Sequence, residues 1–196
     1  MRKYVIPVVC ILFSVLLLLF PLLSQPKQHI NAHPNLPAPI GKEDILFTSA
    51  GQAVDGAIAY SIAEDLHLNG DYRPRALATD LYDYSSLVIT VGYSPTGLVN
   101  TRRNIAEEKI RVKKLLDEAR QTGVPVLLLH LSGKNHDNKQ TRELIELAIP
   151  YVNYFVGLKE IPNRDDIVEL LQKNGVRFTL VNELDDIRTP FNSAFR

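Results

Sequence analysis

The chain has 196 residues, in which 22 Lys+Arg balance 22 Asp+Glu. Past residue 24, 20 bases face 22 acids, a balance that argues against a nucleic-acid binder, which needs a basic surface to neutralise phosphates. The single cysteine is Cys10, so disulfides and Cys-based metal sites are excluded from everything that follows it.

The chain opens on Arg2 and Lys3 and runs into an uncharged apolar stretch, Tyr4–Leu23. About 20 apolar residues suffice to cross the ~30 Å hydrocarbon layer. A cleavable signal has a shorter apolar region and a small-x-small site. Here Ser24 has Leu22 two positions before it, and Ala32 has Ile30. The stretch therefore reads as an uncleaved, single-pass membrane anchor over 1–24, with the chain secreted if it is cut. The basic N-terminus predicts a cytoplasmic start and a domain on the outer, extracytoplasmic face of the cell membrane. Cys10 lies inside the apolar stretch rather than after it, so it does not read as a lipid-acceptor cysteine. Residues 25–41 follow with Pro26, Pro34, Pro37 and Pro39, a stalk of up to ~50 Å if extended at ~3.1 Å per residue. Residues 42–196 are long enough for one domain with its own core.

In that domain Ile45–Thr48 reads as a strand ending at Ser49-Ala50-Gly51-Gln52. Asp55 opens a helix whose face carries Ile58, Ala59, Ile62, Ala63 and Leu66, stopped by Asn69-Gly70. Arg75–Thr79 is a weak strand candidate and Leu87–Val91 a strong one. After a loop from Gly92 to Asn100, the pattern predicts a long helix from about Thr101 to Thr122. Ile105, Val112, Leu115, Leu116 and Ala119 form its buried face, and Glu107, Glu108, Lys113, Lys114, Asp117 and Glu118 its solvent side. Gly123 and Pro125 end it. Val126–Leu131 is a continuous apolar run, as expected of a strand covered on both faces. A polar loop over Ser132–Gln140, a helix at Thr141–Ala148, a strand at Tyr154–Gly157, a helix at Arg164–Asn174 and a strand at Phe178–Val181 complete the pattern. The aromatics of the tail, Phe191 and Phe195, are expected to pack back on the body.

Helices alternating with strands predict an α/β three-layer sandwich around a mostly parallel sheet of five or six strands. It would be flavodoxin- or Rossmann-like, with an order such as 2-1-3-4-5, preceded by one N-terminal transmembrane helix. Ligands in such sheets sit beyond the carboxyl ends of the strands. That rule singles out Ser49, Gln52 and Asp55 after the first strand, Tyr93 and Ser94 after the central one, and His130 and Ser132 after the next. A carboxylate at Asp55 already uses the positive end of its helix and would repel an anion. No Walker pattern and no G-x-G-x-x-G follows the first strand, so no nucleotide cofactor is expected. His29, His33, His67 and His136 lack metal-ligand spacing, and no metal is expected. Arg102-Arg103 reads as a solvated face or as an anion clamp over the Gly92 loop.

Phe47-Thr48-Ser49-Ala50-Gly51-Gln52-Ala53-Val54-Asp55, Val91–Gly97, His130-Leu131-Ser132-Gly133 and Thr179–Val181 together resemble an uncharacterised family of exported bacterial proteins. That family has a T-S-x-G-Q-x-x-D segment, a glycine- and serine-rich loop after the central strand, and an H-x-G-G-like segment. The resemblance covers about residues 44–195, with Ser132 standing where the family prefers glycine. It implies an α/β fold and an extracytoplasmic setting, and brings no activity with it.

Three readings follow. In the first, the domain binds a small polar ligand or a partner protein without catalysis, in a cleft lined by Ser49, Gln52, Asp55, Tyr93, Ser94 and His130. In the second it is a hydrolase, with His130 as base beside Ser94 or Ser132; no G-x-S-x-G elbow accompanies them. The third is a structural or interaction module that meets another protein of the cell envelope.

Overall fold

Runs of four to six apolar residues become strands here because both faces of the sheet are covered. A computed structural model describes residues 34–132 and 138–196. Its strands are β1 (Ile45–Ala50), β2 (Gly70–Tyr72), β3 (Ser86–Val91), β4 (Val126–His130), β5 (Tyr154–Leu158) and β6 (Arg177–Val181). They form one sheet in the order β2-β1-β3-β4-β5-β6, every pair parallel. This is the predicted 2-1-3-4-5 order with a sixth strand at one edge. Every residue of β1, β3 and β4 is buried, as the absence of polar alternation in those runs implies.

The helices are α1 (Asp55–Asp65), α2 (Pro95–Asn100), α3 (Ile105–Thr122), α4 (Lys139–Ala148), α5 (Arg164–Lys173) and a short α6 (Arg188–Asn192). One apolar layer joins Leu46, Leu87, Ile89, Leu128 and Phe155 of the sheet to Leu115 and Leu116 of α3, Leu144 of α4 and Leu171 of α5. The other joins Ile45, Phe47, Val88, Leu127, Leu129 and Tyr154 to Ala59 and Ile62 of α1 and to the C-terminal tail. Phe191 is fully buried, with its ring edge-on to Phe47 at 6.2 Å and to Phe195 at 5.8 Å, so the tail aromatics pack as expected.

Residues 34–41 lie against this second layer. Leu36 is buried, its N–H donates to Ser193 Oγ at 3.0 Å, and the N–H groups of Ile40 and Gly41 both donate to the Ala194 carbonyl. Among the described residues no helix is long and apolar enough to cross a membrane. The expected span Tyr4–Leu23, the start of the stalk and Gly133 lie outside the described residues.

Two elements differ from the sequence reading. Arg75–Thr79 is not a strand. The edge strand is the three-residue Gly70–Tyr72, and the chain then turns into a 3-10 helix over Ala78–Asp83. Gly70 suits that edge because a Cβ there would lie 2.3 Å from the Ile45 carbonyl oxygen of β1. The long helix predicted from Thr101 is two helices. Ser94 caps α2 with Pro95 at its first position, and Asn104 caps α3 in a reciprocal pair with Glu107. Arg102 between them adopts a left-handed φ of 56° that no helix can accommodate.

Candidate functional site

The strand order reverses between β1 and β3, and a crevice normally opens at that point. Here the two loops are stitched together. The Ala53 N–H donates to the Gly92 carbonyl at 3.0 Å, and the Ser94 N–H donates to the Gly51 carbonyl at 2.8 Å. Gln52 and Tyr93 thereby form an isolated antiparallel bridge across the sheet end. Two consecutive left-handed residues turn the chain for this contact, Gly51 at φ 94° and Gln52 at φ 63°. A Cβ on Gly51 would lie 2.5 Å from the Gly92 carbonyl oxygen. One on Gly97 of α2 would lie 2.3 Å from the Gln52 carbonyl oxygen, so α2 sits directly on the bridge.

Beneath the bridge is a buried ion pair, one member of which, Glu108, the sequence pattern assigns to the solvent side of the helix. Glu108 of α3 is fully buried and Arg111 is 5% exposed. Arg111 Nε donates to Glu108 Oε2 at 2.9 Å and Nη2 to Oε1 at 2.7 Å. The remaining guanidinium donors reach the carbonyls of Ala76, at 2.6 Å, and Ser49. Glu108 Oε1 also accepts from the Gly51 N–H and from Gln52 Nε2, each at 3.0 Å. Gln52 Nε2 further donates to the Pro74 carbonyl at 2.8 Å. The pair therefore clamps the loop after β1, the segment before the 3-10 helix and α3 onto one another. Burial pushes the Glu108 carboxyl up, but Arg111, Gln52 and the Gly51 amide outweigh it and hold the group below the usual carboxylate range. Glu108 is thus no solvent-side residue. A signal was present: Glu108, Arg111, Val112, Leu115 and Ala119 stand at i, i+3, i+4, i+7 and i+11, the pattern of a buried stripe, so two charges sit in phase with the core.

The other strand-end residues also turn inward. Ser49 is 1% exposed and its hydroxyl lies 3.2 Å from Tyr72 Oη and 3.4 Å from Thr90 Oγ1. Asp55 is buried at the first turn of α1 and accepts a hydrogen bond from Ser132 Oγ. Gly92 fits between them, since a Cβ there would come within 3.3 Å of both groups and 2.7 Å from Ala53 Cβ. Ser94 Oγ accepts from the Gly97 N–H at 3.1 Å, and the Tyr93 N–H donates to Thr141 Oγ1 at 3.0 Å.

His130 is 3% exposed and its Nδ1 lies 3.0 Å from the Val91 carbonyl oxygen. A carbonyl can only accept, so this contact calls for the proton on Nδ1. The ring lines a cavity of about 20 Å³ with Asn138, Thr141, Arg142 and Asn163, the size of one water molecule. The fold thus gathers Ser49, Gln52, Asp55, Tyr93 and Ser94 around the β1–β3 stitch and draws Ser132 to Asp55. His130 turns toward α4 and α5. Among the described residues no group of three His, Cys, Asp or Glu side chains could hold a metal ion.

No curated protein matches the chain. Among solved structures it is similar to an esterase AlinE4 mutant, with 12% identity over 71% of this chain and 76% of that one and a TM-score of 0.30. It is also similar to the catalytic subunit of M. jannaschii aspartate transcarbamoylase, with 16% identity over 76% of this chain and 59% of that one and a TM-score of 0.27. Neither likeness is close enough to carry an argument about activity. Residues 42–195 match a family described as a domain of unknown function, DUF6305, and with nearly the whole domain covered the chain belongs to that family.

Proposed function

We propose that the domain is a non-catalytic binding module, held at the outer face of a membrane by Tyr4–Leu23, that meets a partner protein of the cell envelope at the carboxyl end of its sheet. One observation carries this reading. Ser49, Asp55 and His130 are buried, Ser94 and Ser132 are half-buried, and each is hydrogen-bonded within the fold, whereas two apolar side chains at the rim are exposed. Val54 of the first loop is 70% exposed and Val99 of α2 is 73% exposed. Catalysis would need a nucleophile and base that a substrate can reach. The Ser132 hydroxyl is directed at Asp55, and the His130 ring faces a space too small for a substrate. A stitched crevice offers a partner a rigid surface, which keeps the ordering entropy of association low.

A photocrosslinking side chain at position 99 or 54 is expected to give a discrete protein adduct in intact cells, and one at exposed Lys173 none. Adducts at all three positions, or at none, would overturn the reading. The hydrolase alternative has its own arm: turnover of p-nitrophenyl esters by the purified chain that disappears in Ser132→Ala or His130→Ala would establish it instead.

A further inference from the structure

The two edges of the sheet are built differently. β2 is three residues long and carries the exposed Asp71, a short, charged edge of the kind that keeps a sheet from pairing with other chains. β6 is five residues long, Arg177-Phe178-Thr179-Leu180-Val181, with no proline and an unbroken register on β5. The Lys159 N–H donates to the Val181 carbonyl at 2.7 Å, so the main-chain groups of Val181 face β5. Main-chain groups alternate along a strand. Those of Arg177 and Thr179 therefore face β5 too, and those of Phe178 and Leu180 face outward. Among the described residues nothing takes up the outward N–H and C=O groups of Phe178 and Leu180.

The two ends of this edge carry opposite charge. Lys173 and Arg177 precede the outward residues, and Glu183, Asp185 and Asp186 follow them. Arg177 is half-buried and Glu183 is exposed, and neither has an ion pair among the described residues. An antiparallel copy of the strand, related by a two-fold axis through Thr179, sets Phe178 opposite Leu180 of the copy. Each such pair then exchanges both of its main-chain hydrogen bonds. Arg177 falls opposite Val181 of the copy and diagonally across from its Glu183, about 7–8 Å away and within reach of two long side chains. No like charges face each other in this register, whereas a parallel copy would set Arg177 beside Arg177.

We infer that β6 pairs with β6 of a second copy of this chain, in an antiparallel two-fold dimer that joins the two sheets into one. The occupant is a copy because the edge is complementary to itself, in hydrogen bonds and in charge, as a two-fold interface must be. The inference is independent of the partner-binding rim at the carboxyl end of the sheet and stands or falls separately from it.

Disulfide trapping of the full chain in lipid vesicles tests it. Cys10 is the single native cysteine and is first replaced by serine. Chains with Arg177→Cys are then mixed with chains carrying Val181→Cys. These positions face each other as a non-hydrogen-bonded pair, in which side chains lie closest. Mild oxidation should link the mixture at least about tenfold faster than either variant alone. In a dimer of one variant the two sulfurs lie about 13 Å apart along the strands, too far to bridge. Leu180→Pro in both chains removes an outward N–H without touching a bond to β5 and should slow the linkage by about tenfold or more. Glu183→Lys should slow it by about threefold. No linked dimer from the mixture, or equal rates in the mixture and in Arg177→Cys alone, would overturn the inference. Should Leu180→Pro fail to fold by circular dichroism, Glu183→Lys decides, since Glu183 is exposed; an unchanged rate in that variant counts against the dimer.

Discussion

Glu108→Ala is expected to remove about 3–5 kcal/mol of folding stability, the usual loss when one partner of a buried ion pair is deleted. The loss is large against a total of about 5–15 kcal/mol for a domain. Its origin is Arg111, which stays 5% exposed and keeps its contacts to the Ala76 and Ser49 carbonyls but loses its counter-charge. The Gly51 N–H and Gln52 Nε2 lose their shared acceptor in the same step. Glu108→Gln should be nearly as harmful, because it preserves the shape while leaving the cation unpaired. The double replacement Glu108→Leu with Arg111→Met should recover part of the loss, since it removes both desolvated charges together. Urea midpoints of the four proteins measure this order.

The same pair gives a signed pH dependence. The Glu108 carboxyl sits below its usual range in the folded protein, so the unfolded chain takes up its proton first as pH falls. The contribution is fully present above the unfolded value of about 4.3 and is lost as pH falls through the lower folded value. Stability of the native chain should therefore decline below about pH 4.3 more steeply than that of Glu108→Gln.

Gly51→Ala is the second large effect, expected at about 3–5 kcal/mol from two sources. A φ of 94° lies where L-residues are strained, and the new methyl would sit 2.5 Å from the Gly92 carbonyl oxygen. That carbonyl accepts the Ala53 amide, so it cannot retreat without opening the stitch. Gly123→Ala provides the comparison. Its φ is 72°, yet nothing lies within 4 Å of the added carbon. Only the conformational cost of about 1–2 kcal/mol should appear there. Comparable Tm losses in the two variants would show that the close approach of the β1 and β3 loops contributes nothing.

Much of the fold was legible because burial on both faces writes itself into the chain. Val126–Leu131 and Leu87–Val91 have no polar alternation, and they supply β4, which ends at His130, and β3, with every strand residue buried. β2 carries no such run, since an edge strand of three residues has little apolar surface to contribute and its glycine resembles a helix stop. The break between α2 and α3 was hidden because an arginine holds the left-handed turn where glycine is the usual marker. Glu108 and Arg111 fall in phase with the buried face of α3, but charged side chains are normally solvated, and a pair that satisfies itself in the core breaks that rule. Ser49, Gln52, Asp55, Tyr93 and Ser94 lie together at the sheet end and His130 turns away from them, and the hydrogen bonds that hold them there leave no sign in the sequence. The contacts that stitch the loops run between backbone groups, and these leave no mark on residue type.

The central claim is that the switch-point crevice is hydrogen-bonded shut. Native-state hydrogen exchange at the Ala53 and Ser94 amides tests it most directly, because these two groups form the stitch. Their opening constants should fall within about tenfold of those of the central β1 and β3 amides, and Glu108→Ala should loosen them selectively. Exchange of both amides at the rate of an open loop in the unaltered protein, with the β1 and β3 amides still protected, would contradict the account and restore an accessible cleft at the sheet end.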